Sequence, residues 1–117
     1  MALTAAQKST SNRVNLGGDA LEALVGQLDI QTSTGPTIGA TTTLALAANT
    51  SRLYASFVND STEDIYLAFG ADAVMNTGVL LKAGGGSYEI TAVNRFTGAV
   101  NAICATGSKK LCVTEGV

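Results

Sequence analysis

The chain contains no histidine and no tryptophan, two cysteines and one proline, and charged residues fill 14% of its 117 positions. Each shortage excludes something. Without histidine there is no imidazole base, no imidazole metal ligand and no Ser-His or Cys-His nucleophile. The two thiols, Cys104 and Cys112, cannot close a zinc site without other ligands. With aromatics at 5%, the core must rest on Leu, Val, Ile and Ala. The charged fraction is low against a typical value of roughly 25%. Exposed positions must therefore be filled by Ala, Thr, Ser, Gly and Asn. Such a neutral surface suits a protein packed against copies of itself or against a partner. The net charge of −2 leaves no basic footprint for nucleic acid.

Long apolar runs are missing too. No stretch approaches the ~18 residues of a membrane span, and no helix with a cationic face suggests a membrane surface. Residues 1–30 lack the basic and apolar regions of a secretory signal. The expectation is synthesis in a cytoplasm, with thiols reduced. The sequons at Asn49 and Asn59 are then chance matches.

What is present divides into an N-terminal arm, 1–40, and a body, 41–117. The arm opens with a polar lead ending in Gly17-Gly18. Asp19 can then cap a helix, with Glu22 as the reciprocal carboxylate. Leu21, Leu24, Val25 and Leu28 follow at i, i+3, i+4 and i+7, one apolar stripe. A helix over about 20–28 is too short to stand alone. Its stripe therefore needs a docking surface and is the candidate partner-binding site. Gln31 to Gly39 reads as a linker.

From Thr41 the apolar period changes to two. Strands are expected over Thr42–Leu46, Arg52–Asn59, Ile65–Phe69, Val79–Lys82 and Ser87–Thr91. A terminal hairpin pairs Gly98–Ala105 with Lys109–Thr114 around Thr106-Gly107-Ser108. Ile65, Leu67, Phe69, Leu53 and Phe57 are the expected core. The fold class is all-β, an antiparallel β-sandwich, jelly-roll-like or a small barrel, of six to eight short strands.

Four constellations could carry chemistry. Asp60, Glu63 and Asp64 share one loop, but turns favour such residues for backbone hydrogen bonding, and the spacing does not fit an EF-hand. Gly84-Gly85-Gly86 has no following Lys-Ser/Thr, so it reads as a turn or bulge and not as a phosphate cradle. Cys104 and Cys112 would face each other across a three-residue turn and point apart across a two-residue one; free thiols acting as small apolar groups are the adopted reading. Tyr54, Tyr66 and Tyr88 would form a sugar platform only if exposed in a row; cross-strand packing is the plainer expectation. No enzyme activity, cofactor or metal is expected.

The stretch Ser51–Val117, with RLYASFVNDSTEDIYLAFG, then GVLLKAGGGSYEI, then TGAVNAICATGSKKLCVTEG, resembles small structural proteins of tailed-bacteriophage virions. It is most similar to capsid decoration, or cement, proteins, in its pattern of strands and turns. The helix signal in the arm departs from the tulip-type members. The resemblance implies a homotrimer on the outer surface of the capsid, with the major capsid protein as partner and the virion as location. A head-fibre base or tail component, and a carbohydrate-binding module, are the alternatives.

Overall fold

The computed structural model describes residues 28–117, which contain ten strands and no helix. In chain order these are β1 (Gln31–Thr34), β2 (Thr37–Ile38), β3 (Thr43–Leu46), β4 (Tyr54–Asn59), β5 (Ile65–Phe69), β6 (Val79–Leu81), β7 (Gly86–Ile90), β8 (Val100–Cys104), β9 (Lys109–Lys110) and β10 (Cys112–Gly116). They form one sheet in the order β1-β10-β4-β7, a second in the order β3-β8-β5-β6, and a two-stranded β2-β9 ribbon. Every pairing is antiparallel. The expected helix over 20–28, with Leu21, Leu24 and Val25, lies outside the described residues except for Leu28.

Alternation explains why these segments are strands. In β4, Ala55, Phe57 and Asn59 point inward and are buried, while Tyr54, Ser56 and Val58 point outward. In β5, Ile65 and Leu67 are buried, with Tyr66 and Ala68 on the other side. The inward residues of the two sheets meet in one core of Phe57, Ile65, Leu67, Leu81, Ile90 and Val100, with Leu111 and Val113. Burying each of the larger side chains is worth ~1.5–3 kcal/mol. Phe69 packs against this core, where its ring lies 5.4 Å from Tyr88 and 5.5 Å from Phe96. Leu53 is only half-buried.

Two expectations need correction. Gln31–Gly39 is not a linker: β1 pairs with β10, β2 pairs with β9, and Ile38 is fully buried in the core. The polar composition QTST carried no alternation signal because all four residues of β1 are exposed. The terminal hairpin is also absent. β8 belongs to one sheet and β10 to the other. The run that was expected as one strand breaks at Leu111, which is buried and donates its N–H to Pro36 O at 3.0 Å. These extra short strands bring the total above the expected six to eight.

Tight approaches fix the connections between strands. Gly78 has φ +87°, and a Cβ there would stand 2.2 Å from Leu67 O. Asn59, buried between the sheets, donates to Glu63 O at 2.7 Å and Leu81 O at 2.8 Å, and accepts from the Ser61 N–H and hydroxyl. Its full donor and acceptor capacity is used, as burial requires.

Candidate functional site

The outer faces of the two sheets differ. Strand register on the β1-β10-β4-β7 sheet lines up Ser33, Thr114, Ser56 and Glu89 across all four strands. This row is polar, flanked by Tyr54 and Val58, and the Ser33 and Thr114 hydroxyls lie 3.2 Å apart.

The outer face of the β3-β8-β5-β6 sheet carries Leu44, Asn101, Ile103, Tyr66, Ala68 and Leu80. None is charged. Leu44 is 54% exposed and Leu80 43%. The connection over residues 70–78 is tied across this face by three polar contacts. Asn101 donates to Ala71 O at 2.7 Å, the Ala73 N–H donates to Thr42 Oγ1 at 2.8 Å, and the Tyr66 hydroxyl donates to Asn76 Oδ1 at 3.1 Å. Ala73 is buried beneath it, whereas Val74 projects with 57% exposure. The Asp64–Lys82 ion pair, 3.7 Å long, marks one end of the face. Exposed Leu44, Val74 and Leu80 are apolar surface left in water, and contact with another apolar surface would remove it favourably.

A second feature is the root of the arm. The Asp29 and Ile30 N–H groups both donate to Val117 O, and the Val117 N–H donates to Ile30 O. Leu28 lies over Gly116: a Cβ at that glycine would stand 2.8 Å from Leu28 Cδ1. Of the four residues of the stripe, Leu28 is thus seated on the body, half-buried, and Ile30 beside it is 62% exposed.

The remaining candidates acquire structural roles. The Glu63 carboxylate accepts the N–H and the hydroxyl of Thr106, and these bonds hold it below the usual carboxylate range. Asp64 accepts the Ala83 N–H at 2.8 Å. Lys109 reaches Thr62 Oγ1 at 3.1 Å. Three loops are thereby tied together at one end of the body. No group of three or more His, Cys, Asp or Glu among the described residues could hold a metal ion. Gly84 and Gly85 both have positive φ and their N–H groups donate to Ser61 O and Asn59 O, as a turn requires.

Cys104 and Cys112 are both free, the first buried and the second exposed. They belong to different sheets, so neither turn geometry weighed for them applies. Burial pushes the Cys104 thiol up. The three tyrosines do not form a row. Tyr54 is on one outer face, Tyr66 on the other, and Tyr88 points inward beside Phe69. The geometric condition for a sugar platform is therefore missing.

One group had no signal in the sequence. Arg52 is fully buried and donates to Glu115 Oε2 at 2.7 Å, Phe96 O at 2.9 Å, Gly98 O at 3.0 Å and Ala47 O at 2.5 Å. An arginine at the start of an alternating strand reads as a solvated end residue; only the fold shows what encloses it.

No family model, no curated protein and no solved structure matches the chain. Among the described residues, no helix is long and apolar enough to cross a membrane. The functional reading therefore rests on surface chemistry.

Proposed function

We propose that the chain is a structural virion protein that binds the outer surface of a tailed-phage capsid as a homotrimer and stabilises it by bridging major capsid subunits. The observation that carries this reading is the outer face presenting Leu44, Val74 and Leu80 to solvent, on a sheet whose outward side chains carry no charge. That face packs against the major capsid protein. We read the strand orders β1-β10-β4-β7 and β3-β8-β5-β6 as a jelly roll, a body with two usable faces. The pattern of the chain from Ser51 onward, similar to decoration proteins, supports the same reading. Stabilisation is mechanical. A body that contacts two neighbouring capsid subunits resists their separation, and weak contacts repeated over a shell gain by multivalency.

Cryo-electron microscopy of the particles tests the location. The reading expects density of this jelly-roll size on the head surface. Density at the base of a head fibre or in the tail would replace it with one of those virion roles, and absence from the particle would overturn it.

A further inference from the structure

Gln31–Ile38 runs along Lys109–Gly116 in one antiparallel register, through both β1 and β2. Pro36 lies inside that run and keeps to it, since its carbonyl accepts the Leu111 N–H at 3.0 Å. The first pair of the ladder shows which way each peptide group points. Ile30 and Val117 exchange both of their N–H···O bonds. In antiparallel alternation the even-numbered residues then face β10 and β9. Gln31, Ser33, Gly35 and Thr37 therefore aim their N–H and C=O groups away from the ladder. The N–H that Pro36 lacks falls on the paired side, so every N–H of the free side remains. Beyond Thr37 the edge closes, because Gly39 O accepts the Cys104 N–H at 3.0 Å. Among the described residues, the one bond to the free side is exposed and comes from Lys110 Nζ to Gly35 O at 3.1 Å.

The other three end strands are blunted. β3 carries an irregularity of register between Leu44 and Leu46. β6 has three residues and leads into a turn in which the Gly86 N–H donates to Lys82 O at 2.9 Å. On β7, Glu89 O is taken by Asn94 Nδ2 at 3.0 Å. Bulges, short strands and covering loops are the devices by which edges avoid pairing with other chains. β1 has none of these among the described residues: it is regular, uncharged and exposed along its length. Such an edge is a template for a further strand.

Charge decides what pairs there. A second copy laid antiparallel over the whole edge would set Gln31 against Thr37 and Ser33 against Gly35 of the other copy. The two Gly35 residues would then stand ~8 Å apart by strand rise and spacing. The Lys110 ammonium groups seated on them would repel. A foreign strand avoids this, and a carboxylate on it opposite Gly35 meets Lys110. On the core side of the same edge Ile30 is 62% exposed, next to the exposed Thr32 and Thr34. An apolar residue of the incoming strand finds contact there. β2 then leads to β3, the end strand that presents Leu44, so one partner can reach both the edge and the apolar face.

We infer that the partner docks by strand addition. An extended segment of it, with a carboxylate opposite Gly35 and an apolar residue beside Ile30, hydrogen-bonds to Gln31, Ser33, Gly35 and Thr37. This rests on the capsid reading above and specifies that the major capsid protein supplies a strand as well as the surface that meets Leu44.

Proline substitution tests it, because the two sides of β1 respond oppositely. Ser33→Pro removes an N–H that has no partner among the described residues, and proline is tolerated on such an edge. It should leave the thermal midpoint nearly unchanged and weaken binding to heads assembled from the major capsid protein by ~tenfold or more. Thr32→Pro removes a ladder bond and should lower the midpoint. Hydrogen exchange of the wild-type chain needs no variant. The Gln31, Ser33, Gly35 and Thr37 amides should exchange freely in solution and become protected on the heads. Equal binding of wild type and a folded Ser33→Pro, or bound chains whose Gln31 and Ser33 amides exchange as fast as in solution, overturns strand addition and leaves the capsid reading standing. Protection of those amides in the free chain also overturns it: an oligomer would assign the edge to a second copy, a monomer to the chain's own arm. Heads that bind no wild-type chain overturn both readings.

Discussion

Arg52 Nε stands 2.7 Å from Glu115 Oε2, and the guanidinium is fully enclosed while the carboxylate keeps 17% exposure. The pair joins the start of β4 to β10, and its other donors hold the carbonyls of Ala47, Phe96 and Gly98. One side chain therefore gathers four stretches of chain. Replacing Arg52 by Met strands Glu115 and three carbonyls. The expected loss is ~3–5 kcal/mol, the usual cost of breaking a buried pair, read by urea denaturation. Glu115→Gln keeps an acceptor and should cost less. A loss below 1 kcal/mol for Arg52→Met would contradict the role assigned to it.

Core and surface positions of β4 should separate cleanly. Phe57→Ala empties a fully buried site and should cost ~3–5 kcal/mol. Ser56→Ala, on the outward face, should stay within ~0.5 kcal/mol. Thermal and chemical denaturation of the two variants gives the contrast. Similar losses at both positions would mean that the facing of β4 is wrong.

Glycine at 78 is required by space as well as by its φ of +87°. Gly78→Ala would press a methyl onto Leu67 O, 2.2 Å away, in the middle of β5. The substitution should destabilise by more than the ~1 kcal/mol that a left-handed alanine costs by itself. Gly84→Ala, also at positive φ but with nothing within 4 Å, should cost only the backbone term.

Acid should loosen one end of the body through Glu63. Its folded value lies below the ordinary carboxylate range because it accepts both Thr106 donors. A depressed folded value means that the stabilisation is fully present above the ordinary carboxylate value. It is lost as pH falls through the depressed one. Hydrogen exchange at Thr106 should accelerate across that window. Thr106→Val removes the hydroxyl donor and should shift the Glu63 titration, followed by NMR, upward towards normal. An unshifted titration would contradict the assignment.

Much of the body was legible in the chain. Arg52–Asn59 and Ile65–Phe69 alternate strictly, and both are strands with the expected residues inward. Partners were not legible, because a period of two assigns faces and says nothing about which strand lies alongside. That is why the sequence pairs Lys109–Thr114 with the strand before it, whereas β9 and β10 lie alongside β2 and β1. β1 is silent in the sequence for a related reason: its exposed QTST has no apolar side to reveal it. Of the stripe expected to bind a partner, only Leu28 is described, against Gly116. The apolar outer face was hidden because Leu44 and Leu80 come from distant strands that register brings to one side.

Truncation separates arm from body. Removing residues 1–27 leaves all ten described strands and the core in place, so the product should still fold cooperatively. Its capsid binding should weaken through loss of the stripe. A cut at residue 40 is predicted to be far worse for stability, since it removes β1, β2 and the buried Ile38. Unimpaired capsid binding by the shorter truncation would remove the arm from the account.

The most direct measurement is co-sedimentation of the purified full chain with heads assembled from the major capsid protein of the same phage and lacking this chain. The wild type should bind saturably. A variant with Leu44→Ser, Val74→Ser and Leu80→Ser changes only exposed side chains and should stay folded while losing most of that binding. Heads that bind none of the wild-type chain, or bind the triple variant equally well, would contradict a capsid protein that docks through this face.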